Sequence, residues 1–356
     1  MDFRVDDDQR ELAEGIRTML AGRLPLDHLR SREGAASAIS AEDWAALGET
    51  GVFALTLPEP VGTGLSMAEA VVVFEELGRA LVPGPLVGTF LAARAGLVDG
   101  AAEGRARVGV HGAGPGPNLV EHLGSLDALL VFTFAADGRG PVRLLAPVTA
   151  ENATRVEAPL DPLTPMWRVD ALPTGEPVPG DMGRDGALLT AALQVGHAAE
   201  ALDLAVAYAK DRQQFGTPIG SFQAVKHMCA DMLVRVEVAR AAVHAAACLV
   251  DAPDVVDSEA AVAGCTPDQL VDRSVGGAKL LGDEAALGNA RAAIQVHGGM
   301  GFTWEVPLHL HLKRARVLST TFGSPAARAA ALAAYAGVGP VAGAPRDAPR
   351  LNGAPP

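Results

Sequence analysis

The chain has 356 residues, 49% hydrophobic and 20% charged, a balance that suits a folded globular protein and excludes a disordered one. Its formal charge of −13 excludes nucleic acid as the main partner, because phosphate backbones need clustered Lys and Arg, and it disfavours docking on anionic lipid. Abundant alanine with only 4% aromatic residues favours close-packed helices over a β-rich fold.

Cys229, Cys248 and Cys265 are odd in number and match no zinc spacing, so they read as reduced core thiols and no metal site is expected. The opening Met-Asp-Phe-Arg-Val-Asp-Asp-Asp lacks the basic start and apolar run of a signal peptide. The most apolar long stretch is broken by Glu75, Glu76 and Arg79, short of the roughly eighteen residues that a membrane span needs. A cytoplasmic protein is expected.

Taken in order, Asp8 can cap a helix from Gln9 to Leu20 with Leu12, Ile16 and Leu20 on one face. Ala41 to Thr50 reads as a second helix carrying Trp44 and Leu47, stopped by Gly51. The Pro and Gly spacing of residues 52–65 forbids a helix, and Ser66 can cap the next one, Met67 to Leu81. Residues 1–103 therefore form an N-terminal helical domain. Between 104 and 180 short β-branched or alternating segments, split by Gly, Pro and Asp, predict a small antiparallel β domain. There Gly112-Ala-Gly114-Pro115-Gly116 has the outline of a dinucleotide fingerprint, but Pro115 and the absence of a following helix make it a loop. Asn152-Ala-Thr154 matches a glycosylation acceptor, which means nothing in a cytoplasmic protein. Helical periodicity returns over 181–337, in segments 185–212, 221–251, 267–297 and 304–312 and a last helix after Pro325. These predict an antiparallel four-helix bundle with a short cap. Residues 338–356, rich in Gly, Ala and Pro, read as a disordered tail. The fold class is mainly α with a small β domain (α+β).

Two motifs carry the chemistry. Gln295-Val-His-Gly298-Gly299-Met-Gly301-Phe-Thr-Trp-Glu leaves an apolar helix and leads to Lys313, Arg314 and Arg316. Glycines let a backbone approach a ligand closely, and exposed N–H groups beside basic residues suit a diphosphate. Upstream stands Arg212-Gln-Gln-Phe215-Gly216, with Gln223 eight residues after the Phe. This ordered pair resembles the acyl-CoA dehydrogenase family. So does the loop Pro58-Glu-Pro-Val-Gly62-Thr-Gly64 followed by a Glu75-Glu-Leu-Gly-Arg79 helix. The likeness covers nearly the whole chain and is weakest in the middle.

The resemblance implies FAD held between two subunits. Arg212, Phe215 and Gln223 would meet the diphosphate and adenine side of one flavin, and Gln295, Gly298 and Gly299 the corresponding part of the neighbour's. It also implies α,β-dehydrogenation of an acyl-CoA thioester, in which a carboxylate removes the α-proton as the β-hydrogen leaves as hydride. One family location of that carboxylate falls on Phe322, just before Gly323, and the other, a Glu-Arg pair, falls on Gly186 and Ala187. Asp185 is adjacent, but one residue along a helix turns a side chain by about 100°, and a capping carboxylate is the plainer reading. Glu237 lies near Arg235 and Arg240 and reads as an ion pair; His297 and His311 read as structural. The β domain lacks the family's Thr-Glu-Pro-Gly loop and its flavin-contacting Trp strand, and Trp167 reads as core.

The chain thus resembles the base-lacking subunit of heteromeric actinobacterial-type acyl-CoA dehydrogenases. The expected partners are an acyl-CoA substrate, a second acyl-CoA dehydrogenase-like subunit in a heterotetramer (or a further copy of this chain), and an electron-accepting flavoprotein. A self-sufficient flavoenzyme with a non-standard base and a non-catalytic binding or assembly homologue are the alternatives.

Overall fold

The computed structural model describes residues 5–114, 116–133, 140–149, 152–180 and 182–335; Pro115 and the tail expected over 338–356 lie outside them. The N-terminal helices are α1 (Asp7–Arg23), α2 (Leu26–Arg30), α3 (Ala41–Glu49), α4 (Met67–Arg79) and α5 (Leu86–Arg94). Helix α1 starts earlier than the sequence suggests, because Asp6 rather than Asp8 is the cap. Its carboxylate accepts from the Gln9 N–H at 2.8 Å, and the Gln9 side chain accepts from the Asp6 N–H. Ser66 caps α4 in the same reciprocal way with Glu69. Helix α5 has no sequence signature since residues 86–93 are all buried, which leaves no amphipathic period to detect.

The middle region forms two small sheets. One has the order β1 (Val108–Ala113), β3 (Ala128–Thr133), β4 (Val142–Leu145) and β7 (Glu176–Val178). The other has β2 (Asn118–Glu121), β6 (Met166–Val169) and β5 (Ala153–Arg155). Pairing is antiparallel except between β1 and β3, which run parallel with Val108 opposite Ala128. β2 lies on the crossover between those two strands and therefore belongs to the other sheet.

The C-terminal part comprises α6 (Met182–Asp211), a tight hairpin of β8 (Gln213–Gln214) and β9 (Thr217–Pro218), α7 (Gln223–Asp251), α8 (Pro253–Ala263), α9 (Pro267–His297), α10 (Leu308–Leu318) and α11 (Pro325–Tyr335). Helix α10 replaces the segment expected at 304–312; it starts after Pro307 and runs to Leu318. Helix α6 lies at the centre, packed on α4, α7 and α9. Two glycines set how closely α4 and α6 cross. A Cβ on Gly78 would stand 2.2 Å from the Leu193 carbonyl oxygen, and one on Gly196 would stand 2.0 Å from that of Glu75. The three cysteines are free and half-buried. Among the described residues no helix is long and apolar enough to cross a membrane.

Two buried ion pairs fix α10. Lys279 of α9, fully buried, donates to both Asp283 oxygens at 2.7 Å and to the Leu318 carbonyl at 3.1 Å. Gln194 of α6 donates to Asp283 and to the Ala315 carbonyl. Burial pushes the Lys279 ammonium down to about 8, and Asp283 opposes that shift. Arg314 pairs with buried Asp161 and donates to the carbonyls of Val82 (3.2 Å) and Leu163 (3.3 Å). Arg314 therefore joins all three regions of the chain and leaves the set of basic residues open to a diphosphate. Removing one partner of a buried pair strands the other's charge. Lys279→Met should destabilise the fold by roughly 3–5 kcal/mol in urea unfolding, and Lys279→Met with Asp283→Leu by clearly less.

Candidate active site

The two sequence motifs meet at one end of the bundle. Tyr208, in the last turn of α6, stacks on His297 at the end of α9, with ring centroids 4.1 Å apart and planes 17° apart; its hydroxyl reaches the Met300 sulfur. The Arg212 N–H donates to the Tyr208 carbonyl at 2.8 Å, which places Arg212 beside this junction. Its guanidinium is exposed and has no ion pair among the described residues. Phe215 follows with 93% of its surface exposed, held at a left-handed φ of 54°, its ring edge-on to Phe222. Gln223 is exposed at the start of α7.

On the α9 side Gln295, Gly298 and Gly299 are exposed. Gly298 has a φ of 59° and ψ of −134°, a conformation essentially restricted to glycine. A Cβ at Gly298 or Gly299 would meet nothing within 4 Å, so this backbone faces open space that a ligand can enter. Gly301 differs: its Cβ would stand 2.5 Å from the Ile294 carbonyl oxygen, a packing constraint. An unpaired guanidinium, an exposed aromatic ring and an open glycine backbone fit the diphosphate-and-adenine end of a dinucleotide.

The two places where the family resemblance looks for a carboxylate touch each other. Phe322, 3% exposed, lies just beyond α10, and its ring sits on Gly186 of α6. A Cβ at Gly186 would be 2.2 Å from two of the ring carbons. The same ring meets Phe132 of β3 edge-on, with centroids 5.0 Å apart. Phe322 also has a left-handed φ of 58°, and its carbonyl accepts from Arg328. Ala187 is buried beside Gly186.

The other candidates are engaged in the fold. Asp185 faces Arg94 of α5 at 3.5 Å. Glu237 is exposed and paired with Arg240, which also binds Glu75 at 2.7 Å. The His297 Nδ1 lies 2.8 Å from the Ala293 carbonyl oxygen. His311 and His197 share a buried hydrogen bond, Nδ1 to Nδ1 at 3.1 Å. Burial, with Arg314 adding to it, drives His311 down to about 3, and burial holds His197 well below its usual range, so both rings are neutral. Trp167 is core, packed against Gly124.

Beside Phe322 lies a cavity of about 260 Å³, walled by β1 and β2 on one side and by Thr320, Thr321 and Phe322 on the other. It contains two ionisable groups that the sequence reading passed over. Burial pushes the Glu121 carboxyl up to about 7, with Asp161 adding to the shift and Arg314 opposing it. Burial lowers His111, whose Nε2 lies 3.2 Å from Asn118 Oδ1. Their only signal was a Glu and a His within short apolar strands.

Comparison with known proteins agrees with this architecture. Residues 6–108 match the model of the acyl-CoA dehydrogenase N-terminal domain, and residues 184–335 that of the C-terminal domain. The chain is 38% identical over 288 residues to the acyl-CoA dehydrogenase IpdE2 of Mycolicibacterium smegmatis, covering 78% of this chain and 82% of that protein. The chain belongs to the acyl-CoA dehydrogenase family. Another member, FadE34 of Mycobacterium tuberculosis, is 35% identical over 345 residues, a match that takes in 90% of this chain but 46% of FadE34. The fold is also that of the ChsE4–ChsE5 complex from Mycobacterium tuberculosis, with a TM-score of 0.73 at 21% identity over 96% of this chain and 100% of the other.

The fit of Phe322 against Gly186 can be measured in this acyl-CoA dehydrogenase. Gly186→Ala forces the ring aside and should cost on the order of 1–3 kcal/mol. Phe322→Ala vacates the space, so the two substitutions together should cost clearly less than their sum in a double-mutant cycle of urea unfolding. Additive losses would show that the two residues are not in contact.

Proposed function

We propose that this chain is one subunit of an FAD-dependent acyl-CoA dehydrogenase, paired with a second acyl-CoA dehydrogenase-like chain that carries the catalytic carboxylate. The observation that carries the proposal is the Phe322 ring seated on Gly186. The ring blocks one location of the base and covers the other, so neither can present a carboxylate unless the contact is rebuilt. Asp185, His297 and His311, the substitutes a self-sufficient enzyme would draw on, are held by Arg94, the Ala293 carbonyl and His197.

When bound, FAD supplies the hydride acceptor for α,β-dehydrogenation of the acyl-CoA thioester. This chain's part is to hold the cofactor. Arg212 neutralises diphosphate charge of one FAD without first having to break an ion pair, and the Gly298–Gly299 backbone lets phosphate oxygens of the neighbouring subunit's FAD come close. Phe215 offers a ring to stack on, and Gln223 and Gln295 offer amide groups for hydrogen bonding.

Surface features support pairing. Helix α7 exposes Leu233, Val234 and Val238, and the turn after α9 exposes Phe302 (82%) and Trp304 (54%). Large apolar side chains left exposed on a helix face support a surface that another chain covers. FadE34 holds, beside the matched stretch, a further length about as large as this chain, which is the size of a second subunit.

Co-expression with an acyl-CoA dehydrogenase-like partner should yield a yellow complex whose flavin absorbance is bleached anaerobically by a bulky acyl-CoA. The chain purified alone should not be bleached. A chain that binds FAD stoichiometrically and is bleached by itself would contradict the proposal. A colourless product with every partner would point to a non-catalytic assembly protein.

A further inference from the structure

In a chain with a formal charge of −13, three arginines gather on one short loop. The loop is 31–40, between α2 and α3, and each arginine donates to its main chain or hydroxyl and not to a carboxylate. Arg32, within the loop, donates from Nε and Nη2 to the Ser37 carbonyl at 3.2 and 3.1 Å. Arg107, the residue before β1, donates to the Ser40 carbonyl at 2.9 Å and reaches the Ser37 hydroxyl at 3.4 Å. Arg155, at the end of β5, donates to the Gly34 and Ala35 carbonyls. Among the described residues none of the three has an ion pair.

We infer that Arg32 and Arg107, meeting at Ser37, form a phosphate-binding site, with Arg155 adding positive charge from the same loop. The site stands apart from the cavity beside Phe322, which is walled by Val110, His111 and Gly112 further along β1. It does not depend on the flavin reading.

Three observations carry it. Two atoms of a single serine receive the two guanidiniums, so little more than two hydrogen-bond lengths of about 3 Å separate them, a span that one tetrahedral anion can bridge. Burial lowers the Arg107 guanidinium, Asp127 opposes that shift and Arg32 adds to it, as a like charge close by must. Each guanidinium also has donors to spare. Of the five N–H groups in its planar fork, the contacts with the loop use two on each arginine. The Trp44 ring, 5.5 Å from the Arg107 Cζ, helps to hold that fork in place.

The carboxylates around the loop are engaged elsewhere. Glu33 accepts from Arg30 through one oxygen and from the Trp304 indole through the other. Asp43 accepts from the Ser40 hydroxyl and shares a hydrogen bond with His28. Asp127 accepts from the main-chain N–H of Arg107 at 2.8 Å, not from its side chain. These charges moderate the positive potential and leave the guanidinium forks unneutralised. Forks of this shape match the oxygens of a phosphate two at a time, and a dianion offsets both positive charges where a carboxylate would offset one. A bound phosphate would also tie the start of β1 to the loop before α3, so binding should stabilise the fold.

The test is equilibrium dialysis of the full chain against radiolabelled inorganic phosphate at about pH 7.5, where phosphate is mostly dianionic, with ionic strength held constant by chloride. One phosphate should bind per chain with a Kd of about 1 mM or below. Arg32→Gln should weaken binding roughly tenfold, and Arg107→Gln by a similar factor. Arg143→Gln, which removes an arginine bound to the Gly175 carbonyl on β4, should leave binding unchanged. Phosphate should raise the thermal midpoint of the wild type and of Arg143→Gln, and raise that of Arg32→Gln much less, which separates ligand binding from a loss of fold. Displacement of the label by adenosine 3′-monophosphate but not by adenosine would assign the phosphate to a nucleotide, and its failure would assign it to the free ion; either result upholds the site. Absence of saturable binding in the wild type, or equal binding by the wild type and Arg32→Gln, would overturn the inference.

Discussion

The contact of the Phe322 ring with Gly186 is the constraint on which the proposed division of labour rests. Only glycine leaves room for the ring, and the ring joins the two positions at which the family resemblance looks for a carboxylate. The contact depends on the placement of the segment after α10. Lys279 binds the Leu318 carbonyl, Arg328 binds the Phe322 carbonyl, and Phe132 of β3 closes the far side of the ring.

Away from this contact lie the residues proposed to hold FAD. The Tyr208–His297 stack draws the ends of α6 and α9 together, so that Arg212 and the open Gly298–Gly299 backbone occupy one end of the bundle. Further back along α6, Gly196 and Gly78 of α4 let the two helices cross in close contact. Open groups at one end of the bundle, with Phe322 and Gly186 where the resemblance looks for a base, are what the proposed division of labour between two subunits draws on.

Much of this was legible in the sequence, and the rest was hidden for physical reasons. Ser66 before an apolar run marks a helix start, and the spacing from Arg212 to Gln223 with the glycines after Gln295 identifies the family. The substitutions at 322 and 186 could be read one at a time, but their contact needs the folded chain. Helix α5 is buried on every side and leaves no period. Arg314 looks like a phosphate ligand within a basic run, because its partner Asp161 is distant in sequence. Glu121 looks like an ordinary strand residue until the β1–β3 crossover carries it to the cavity. Composition and local pattern report what a segment prefers; side chains that meet across domains are decided by packing.

The central claim, that this chain has no working base of its own, is tested most directly by exchange of the α-hydrogen. An acyl-CoA is incubated in deuterated buffer with the chain loaded with FAD, with and without its partner, and deuterium at the α-carbon is followed by mass spectrometry. The account predicts exchange at the solvent background rate with this chain alone and rapid exchange once the partner is added. Rapid exchange with this chain alone would contradict it.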